Sequence, residues 1–140
     1  MRTVLIAHRD PAIANSLEAD FRRLGYHITT CPGPFPPKLR CIQCDTGYCP
    51  LTDGADVLVY DPTLVALDAD GTSHNLAVES ALAHPDIPMI AIAFTPAEAD
   101  AAADVRARAP NVVIGAQDRA DMLRQVHQLM AQTLEMLQPS

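Results

Sequence analysis

The sequence predicts an α/β domain: a doubly wound, five-stranded parallel sheet with one cysteine-rich loop set into it. Three observations carry that expectation. Short, continuously apolar runs alternate along the chain with segments of helical periodicity, the pattern of strands covered on both faces by crossover helices. The helical segments begin at capping residues and end at glycines or prolines. One stretch, residues 31 to 50, fits neither period and holds all four cysteines and five of the twelve prolines.

The elements follow in order. Thr3 to Ala7 is an apolar run of strand length. Asp10 followed by Pro11 reads as an N-cap and a first helical position, and Ile13, Leu17, Phe21 and Leu24 recur at helical spacing up to a C-cap at Gly25. Tyr26 to Thr30 is the second strand. The third, Asp56 to Tyr60, ends at Asp61-Pro62. A helix is expected over roughly Ser73 to Ala83, stopped by His84-Pro85. Ile87 to Phe94 is the fourth strand. Thr95-Pro96-Ala97-Glu98 combines a capping box with proline at the first helical position and opens a helix that must end before Pro110. Asn111 to Gly115 is the fifth strand. Asp118 caps a last helix with Met122, Val126, Leu129, Met130, Leu134 and Leu137 on one face, which packs on the sheet or serves as a dimer surface.

At 140 residues and 49% hydrophobic composition, the chain fits one domain, 1–140, with a real core. A net charge of −7 gives no general attraction to nucleic acid or to anionic membranes, so neither is expected as a partner. No apolar run reaches the length of about eighteen residues that suggests a membrane span. The start turns charged at His8-Arg9-Asp10, too early for a signal peptide. A cytoplasmic location follows, where clustered thiols more often bind metal or do redox chemistry than form structural disulfides.

The loop, 31–54, has the spacing Cys31-x9-Cys41-x2-Cys44-x4-Cys49. Pro32, Pro34, Pro36, Pro37 and Pro50 bar it from being a helix or a central strand, because each lacks a backbone donor and fixes φ. A Cys-x2-Cys pair lets two thiolates of one turn reach the same ion, and four thiolates suit tetrahedral Zn²⁺ or an iron–sulfur cluster. Cys31 and Cys49 are each followed by proline, as is a ligand in ferredoxin-type runs. Structural zinc is the first expectation. An iron–sulfur cluster, disulfides or reversible thiols are the alternatives, and spacing alone does not separate them.

In Val4-Leu-Ile-Ala-His-Arg-Asp-Pro11, Gly25-Tyr26, Asp56-Val-Leu-Val-Tyr-Asp61 and Ala83-His-Pro-Asp-Ile-Pro-Met-Ile-Ala-Ile-Ala93, the chain resembles the receiver domain of two-component response regulators. The resemblance covers nearly all of the chain outside the loop. It implies strand order 2-1-3-4-5, and it puts Asp61 where the family carries its phosphoaccepting aspartate. The cysteine loop then stands in place of the family's second helix.

The departures from that family bear on function. The acidic pair that holds Mg²⁺ is replaced at His8 and Arg9, ahead of Asp10, and a guanidinium repels a cation that wants oxygen ligands. The family's Ser or Thr at the end of the fourth strand corresponds to Ala93, and its Lys after the fifth strand to Gly115. Lys38, in the loop, is the only lysine of the chain. Phosphoryl transfer to a carboxylate depends on cations that neutralise the developing charge, so Asp61 is expected as a strand-end carboxylate paired with Arg9. His8 is expected beside Asp61, with His74 facing the same cleft. No nucleophile–base spacing and no glycine-rich phosphate loop is present, so no enzymatic activity is expected.

Two functions follow from these expectations. One is a phosphorylation-independent pseudo-receiver, a module that acts through a protein partner or a homodimer, with the cysteines holding zinc to order the loop. The other is a redox or metal sensor with its centre at the same cysteines.

Overall fold

The computed structural model describes residues 2–31, 49, 52, 54–115 and 117–137, with side chains as far as 131. The loop reading for 32–48, including Cys41 and Cys44, lies outside the described residues.

The sheet has the expected order. Strands β1 (Thr3–Ala7), β2 (His27–Thr30), β3 (Val57–Tyr60), β6 (Met89–Ala91) and β7 (Val112–Ile114) lie as β2-β1-β3-β6-β7, every neighbouring pair parallel. Helices α1 (Pro11–Arg23), α2 (Leu76–Ala83), α3 (Pro96–Arg108) and α4 (Arg119–Leu137) cover the two faces. Side chains alternate across each strand, so β1 sends Val4 and Ile6 to one core layer and Leu5 and Ala7 to the other. β3 does the same with Val57 and Val59 against Leu58 and Tyr60. The first layer is closed by Leu17 and Phe21 of α1 and by Met122, Val126 and Met130 of α4. The second is closed by α2 and by Ala102 and Val105 of α3. Thus α4 packs on the sheet, as one of its two expected roles required; the side chains of Leu134 and Leu137 lie outside the described residues. Among the described residues, no helix is long and apolar enough to cross a membrane.

Local chemistry sets the element ends. Asp10 caps α1 by accepting the Ala12 N–H at 3.0 Å, with Pro11 at the first helical position. The helix closes in a Schellman motif, in which the Gly25 N–H reaches the Arg22 carbonyl and the Tyr26 N–H reaches the Phe21 carbonyl. Gly25 adopts φ +91°, which a side chain would resist, and Phe21 and Tyr26 pack with ring centroids 6.4 Å apart. Thr95 and Glu98 form the expected reciprocal capping box.

Two elements differ from expectation: strand β6 spans only Met89–Ala91 of the expected 87–94, and the helix expected from Ser73 starts later. Ser73 to Asn75 does not begin a helix. It is strand β5, paired antiparallel with β4 (Val65–Leu67), and α2 starts only at Leu76. Two local bonds explain the shift. The Asn75 side chain accepts the Val78 N–H, which makes Asn75 the N-cap, and Asp68 Oδ1 accepts the N–H groups of Asp70 and Thr72, closing a turn with Gly71 at φ +80°.

Phe21 is fully buried between α1 and the sheet. Phe21→Ala should cost about 3–5 kcal/mol of stability, read as a lowered denaturant midpoint with an unchanged slope. A loss under about 1 kcal/mol would mean that α1 does not close this layer.

Candidate functional site

The site lies at the carboxyl ends of β1 and β3, where doubly wound sheets place their ligands. The Asp61 N–H bonds to the Ala7 carbonyl at 2.7 Å, which draws the residues following the two strands together. The Asp61 side chain has no exposed surface. Its Oδ1 accepts two bonds from Thr63, from the backbone N–H at 2.8 Å and from the hydroxyl at 2.6 Å. Its Oδ2 accepts the Arg9 N–H at 3.3 Å and faces the Arg9 guanidinium Nε at 3.6 Å. The Arg9 side chain is 62% exposed, so its charge is screened and acts mainly as a lid over the buried carboxylate.

His8 stands behind Asp61, its Nδ1 3.8 Å from Oδ2. That nitrogen accepts the Asp10 N–H at 2.9 Å, so the neutral ring carries its proton on Nε2. Nε2–H then donates to Glu98 Oε2 at 3.3 Å. The other Glu98 oxygen accepts the Thr95 N–H at 3.0 Å. One buried carboxylate therefore caps α3 and anchors the histidine at the end of β1. His8, Asp61 and Glu98 each offer a donor atom, all within 4.8 Å of one another. Such a set resembles a small cation site, but both ring nitrogens of His8 are already engaged. Metal on Nε2 would strip the ring's proton while Nδ1 still accepts from Asp10, so this arrangement is satisfied by a proton.

The structure thus brings His8, Arg9 and Asp61 together. Asp10 meets this group through its backbone N–H, bonded to His8 Nδ1, while its side chain caps α1. His74 does not face this cleft; it lies on β5 between Asp68 and Glu79. Glu98 and Thr63 were not among the expected site residues. Thr63 had a signal, because Asp-Pro-Thr is a sequence in which the aspartate accepts from the residue two positions on. Glu98 was legible only as a cap, a role that uses one of its two oxygens.

Gly115, where the resemblance aligns the family's lysine, has no room for a side chain. A Cβ there would lie 2.7 Å from Met122 Cε, 2.8 Å from the Ala91 carbonyl oxygen and 3.0 Å from Ile90 Cγ2. The backbone of β7 therefore packs too close to β6 and α4 for any residue but glycine.

Of the four cysteines, Cys31 and Cys49 are described. Cys31 follows β2, donating its N–H to the Ile6 carbonyl at 2.9 Å, and packs against the core layer that contains Tyr60. Burial pushes the Tyr60 hydroxyl up to about 12, and negative charge on either Cys31 or Cys49 pushes it in the same direction. The Tyr60 hydroxyl also lies 3.4 Å from Thr52 Oγ1.

The fold is receiver-like, and comparison with solved structures agrees. An uncharacterised protein from Neptuniibacter caesariensis matches with TM-score 0.62 at 20% identity, over 99% of this chain and 96% of that one. The non-phosphorylated HemR receiver domain from Leptospira biflexa matches with TM-score 0.53 at 15% identity, over 100% and 99%. A response regulator from Burkholderia pseudomallei, solved with a phosphorylated aspartic acid, a calcium ion and citrate, matches with TM-score 0.52 at 12% identity, over 99% and 76%. No protein-family model matches the sequence, and no curated protein does.

Gly115→Ala should lose about 1–3 kcal/mol through overpacking, measured by thermal or denaturant unfolding. Gly54→Ala, where a Cβ meets nothing within 4 Å, is the control and should be near neutral. Equal stability of the two variants would show that β7 does not approach β6 and α4 as described.

Proposed function

We propose that the chain is a receiver-like signalling module that works without phosphorylation, signals through a protein partner and catalyses no reaction. The observation that carries this is the closed hydrogen-bond shell of Asp61. Both carboxylate oxygens are engaged by Thr63 and Arg9, and the side chain is fully buried. A phosphoryl group on Oδ2 would have to displace the Arg9 contacts. A divalent cation would meet a guanidinium where an acidic ligand is expected from the family resemblance. The crowding around Gly115 removes the remaining cationic partner.

In the same reading, Cys31, Cys41, Cys44 and Cys49 hold one structural Zn²⁺. The spacing of the four cysteines supports this, with Cys31 held at the end of β2 by its N–H bond to the Ile6 carbonyl. A set of four thiols is also the chemistry that zinc prefers. When bound, the ion supplies a cross-link, joining the end of β2 to the segment leading into β3. The chain's own contribution is to fix Cys31 by its bond to β1 and to pack it against the core.

Two measurements test these proposals separately. Treatment with a small phosphodonor and Mg²⁺ should leave the intact mass unchanged. A stoichiometric phosphoryl adduct that disappears in Asp61→Asn would overturn the phosphorylation-independent reading. Metal analysis of protein purified without oxygen should give one zinc per chain and no visible absorption, and Cys44→Ser should release the metal and lower the Tm while helical circular dichroism survives. A brown, iron-containing protein would replace structural zinc with the sensor reading. Four titratable thiols with no metal would end both metal readings.

A further inference from the structure

The hairpin of β4 and β5 leaves the sheet directly after Asp61 and carries a histidine held between two acids. His74 Nε2 lies 2.8 Å from Asp68 Oδ2, in the hairpin's own turn, and Nδ1 lies 3.4 Å from Glu79 Oε1, in the first turn of α2. A neutral imidazole has one proton and one lone pair, so it can serve only one of two carboxylates and must turn its lone pair towards the other. The imidazolium donates to both. We propose that His74 is a proton-operated latch: as imidazolium it ties the β4–β5 hairpin to α2, and on losing its proton it releases that tie.

The charged groups that face His74 are Asp68 from the hairpin and Glu79 from α2. The Asp68 hydrogen bond, followed by the charge of Glu79, outweighs partial desolvation and holds His74 above its ordinary 6.5. The same bond to His74, with the Thr72 and Asp70 N–H groups, holds Asp68 below its ordinary 3.8. A base whose folded value is raised contributes its full stabilisation below the unfolded value and loses it as pH rises through the folded one. An acid whose folded value is lowered contributes above its unfolded value and loses it as pH falls. The latch is therefore shut below the ordinary histidine value and opens as pH rises through a folded value that lies above 6.5.

What opens is limited by the rest of the hairpin. Ala66 and Leu64 are buried in the core, the Leu76 N–H reaches the Leu64 carbonyl at 3.0 Å, and Asn75 Nδ2 donates to the Pro62 carbonyl at 2.8 Å. The root next to Asp61 stays in place. The tip around Asp68–Thr72 and its contact with α2 are what the proton controls.

The test is a pH titration of the intact protein by NMR, following the His74 ring and the protection of the amides of residues 67–75 against exchange. His74 should titrate above 6.5, and Glu79→Gln should lower its midpoint. Amide protection in the hairpin should fall several-fold as pH passes that midpoint, and in His74→Gln it should not change with pH over the same range. A His74 midpoint at or below 6.5, a midpoint unmoved by Glu79→Gln, or hairpin protection constant through the midpoint would each overturn the latch.

Discussion

The structure depends first on a carboxylate with no access to solvent at the end of β3. Burying a charge costs several kcal/mol unless hydrogen bonds and an opposite charge replace the lost water. Asp61 recovers that cost from three donors, the Thr63 N–H, the Thr63 hydroxyl and the Arg9 N–H, with the Arg9 guanidinium across the opening. Each donor comes from the segment just after β1 or just after β3. The pairing of Ala7 with Tyr60 is thereby locked at the edge where the two strands leave the sheet. A site that carries a phosphoryl group must leave an oxygen accessible. This one spends both oxygens on its own backbone and side chains.

The same edge is tied to the rest of the domain through His8. The Asp10 N–H fixes the ring's tautomer, and the proton left on Nε2 points at Glu98, which at the same time caps α3. Capping alone would be satisfied by one oxygen. The second, buried with the first, would cost free energy if left unmet. Helix α3 is thus positioned by two independent demands of one residue. On the proposed reading, in which Asp61 takes no phosphoryl group, this fixed connection stands where a ligand-dependent one would otherwise be.

Much of this was legible in the residues. The apolar runs at Thr3–Ala7 and Asp56–Tyr60, the caps at Asp10 and Thr95 and the glycine after α1 are local signals, and local chemistry decided them. The Arg9–Asp61 contact was legible because strand ends in a parallel sheet meet at one rim. The hairpin was missed because its strands are three residues each, too short for a period of two to stand out, and because α2 is apolar nearly all round. The Asp70-Gly71 pair was its one clear mark. Glu98 was missed as a site residue because its partner, His8, is ninety positions away. No periodicity or motif links such residues; only the fold brings them together.

The closeness of β6 and α4 at Gly115 bears on the proposed absence of phosphoryl chemistry. A lysine cannot simply be put back at that position, because the obstacle includes the Ala91 carbonyl, which belongs to the sheet's own ladder and donates its geometry to β6. The Gly115 N–H bonds to that same carbonyl at 2.8 Å, so opening space for a Cβ means lengthening the backbone hydrogen bond that holds the end of β7 to β6. Met122 and Ile90, both fully buried, would have to move with it. Interiors are close-packed and resist such shifts. On the proposed reading, exchanging Arg9 for an acid would supply at most a cation ligand, because the closed shell on Asp61 and the packed backbone at Gly115 are separate obstacles, and each stands without the other.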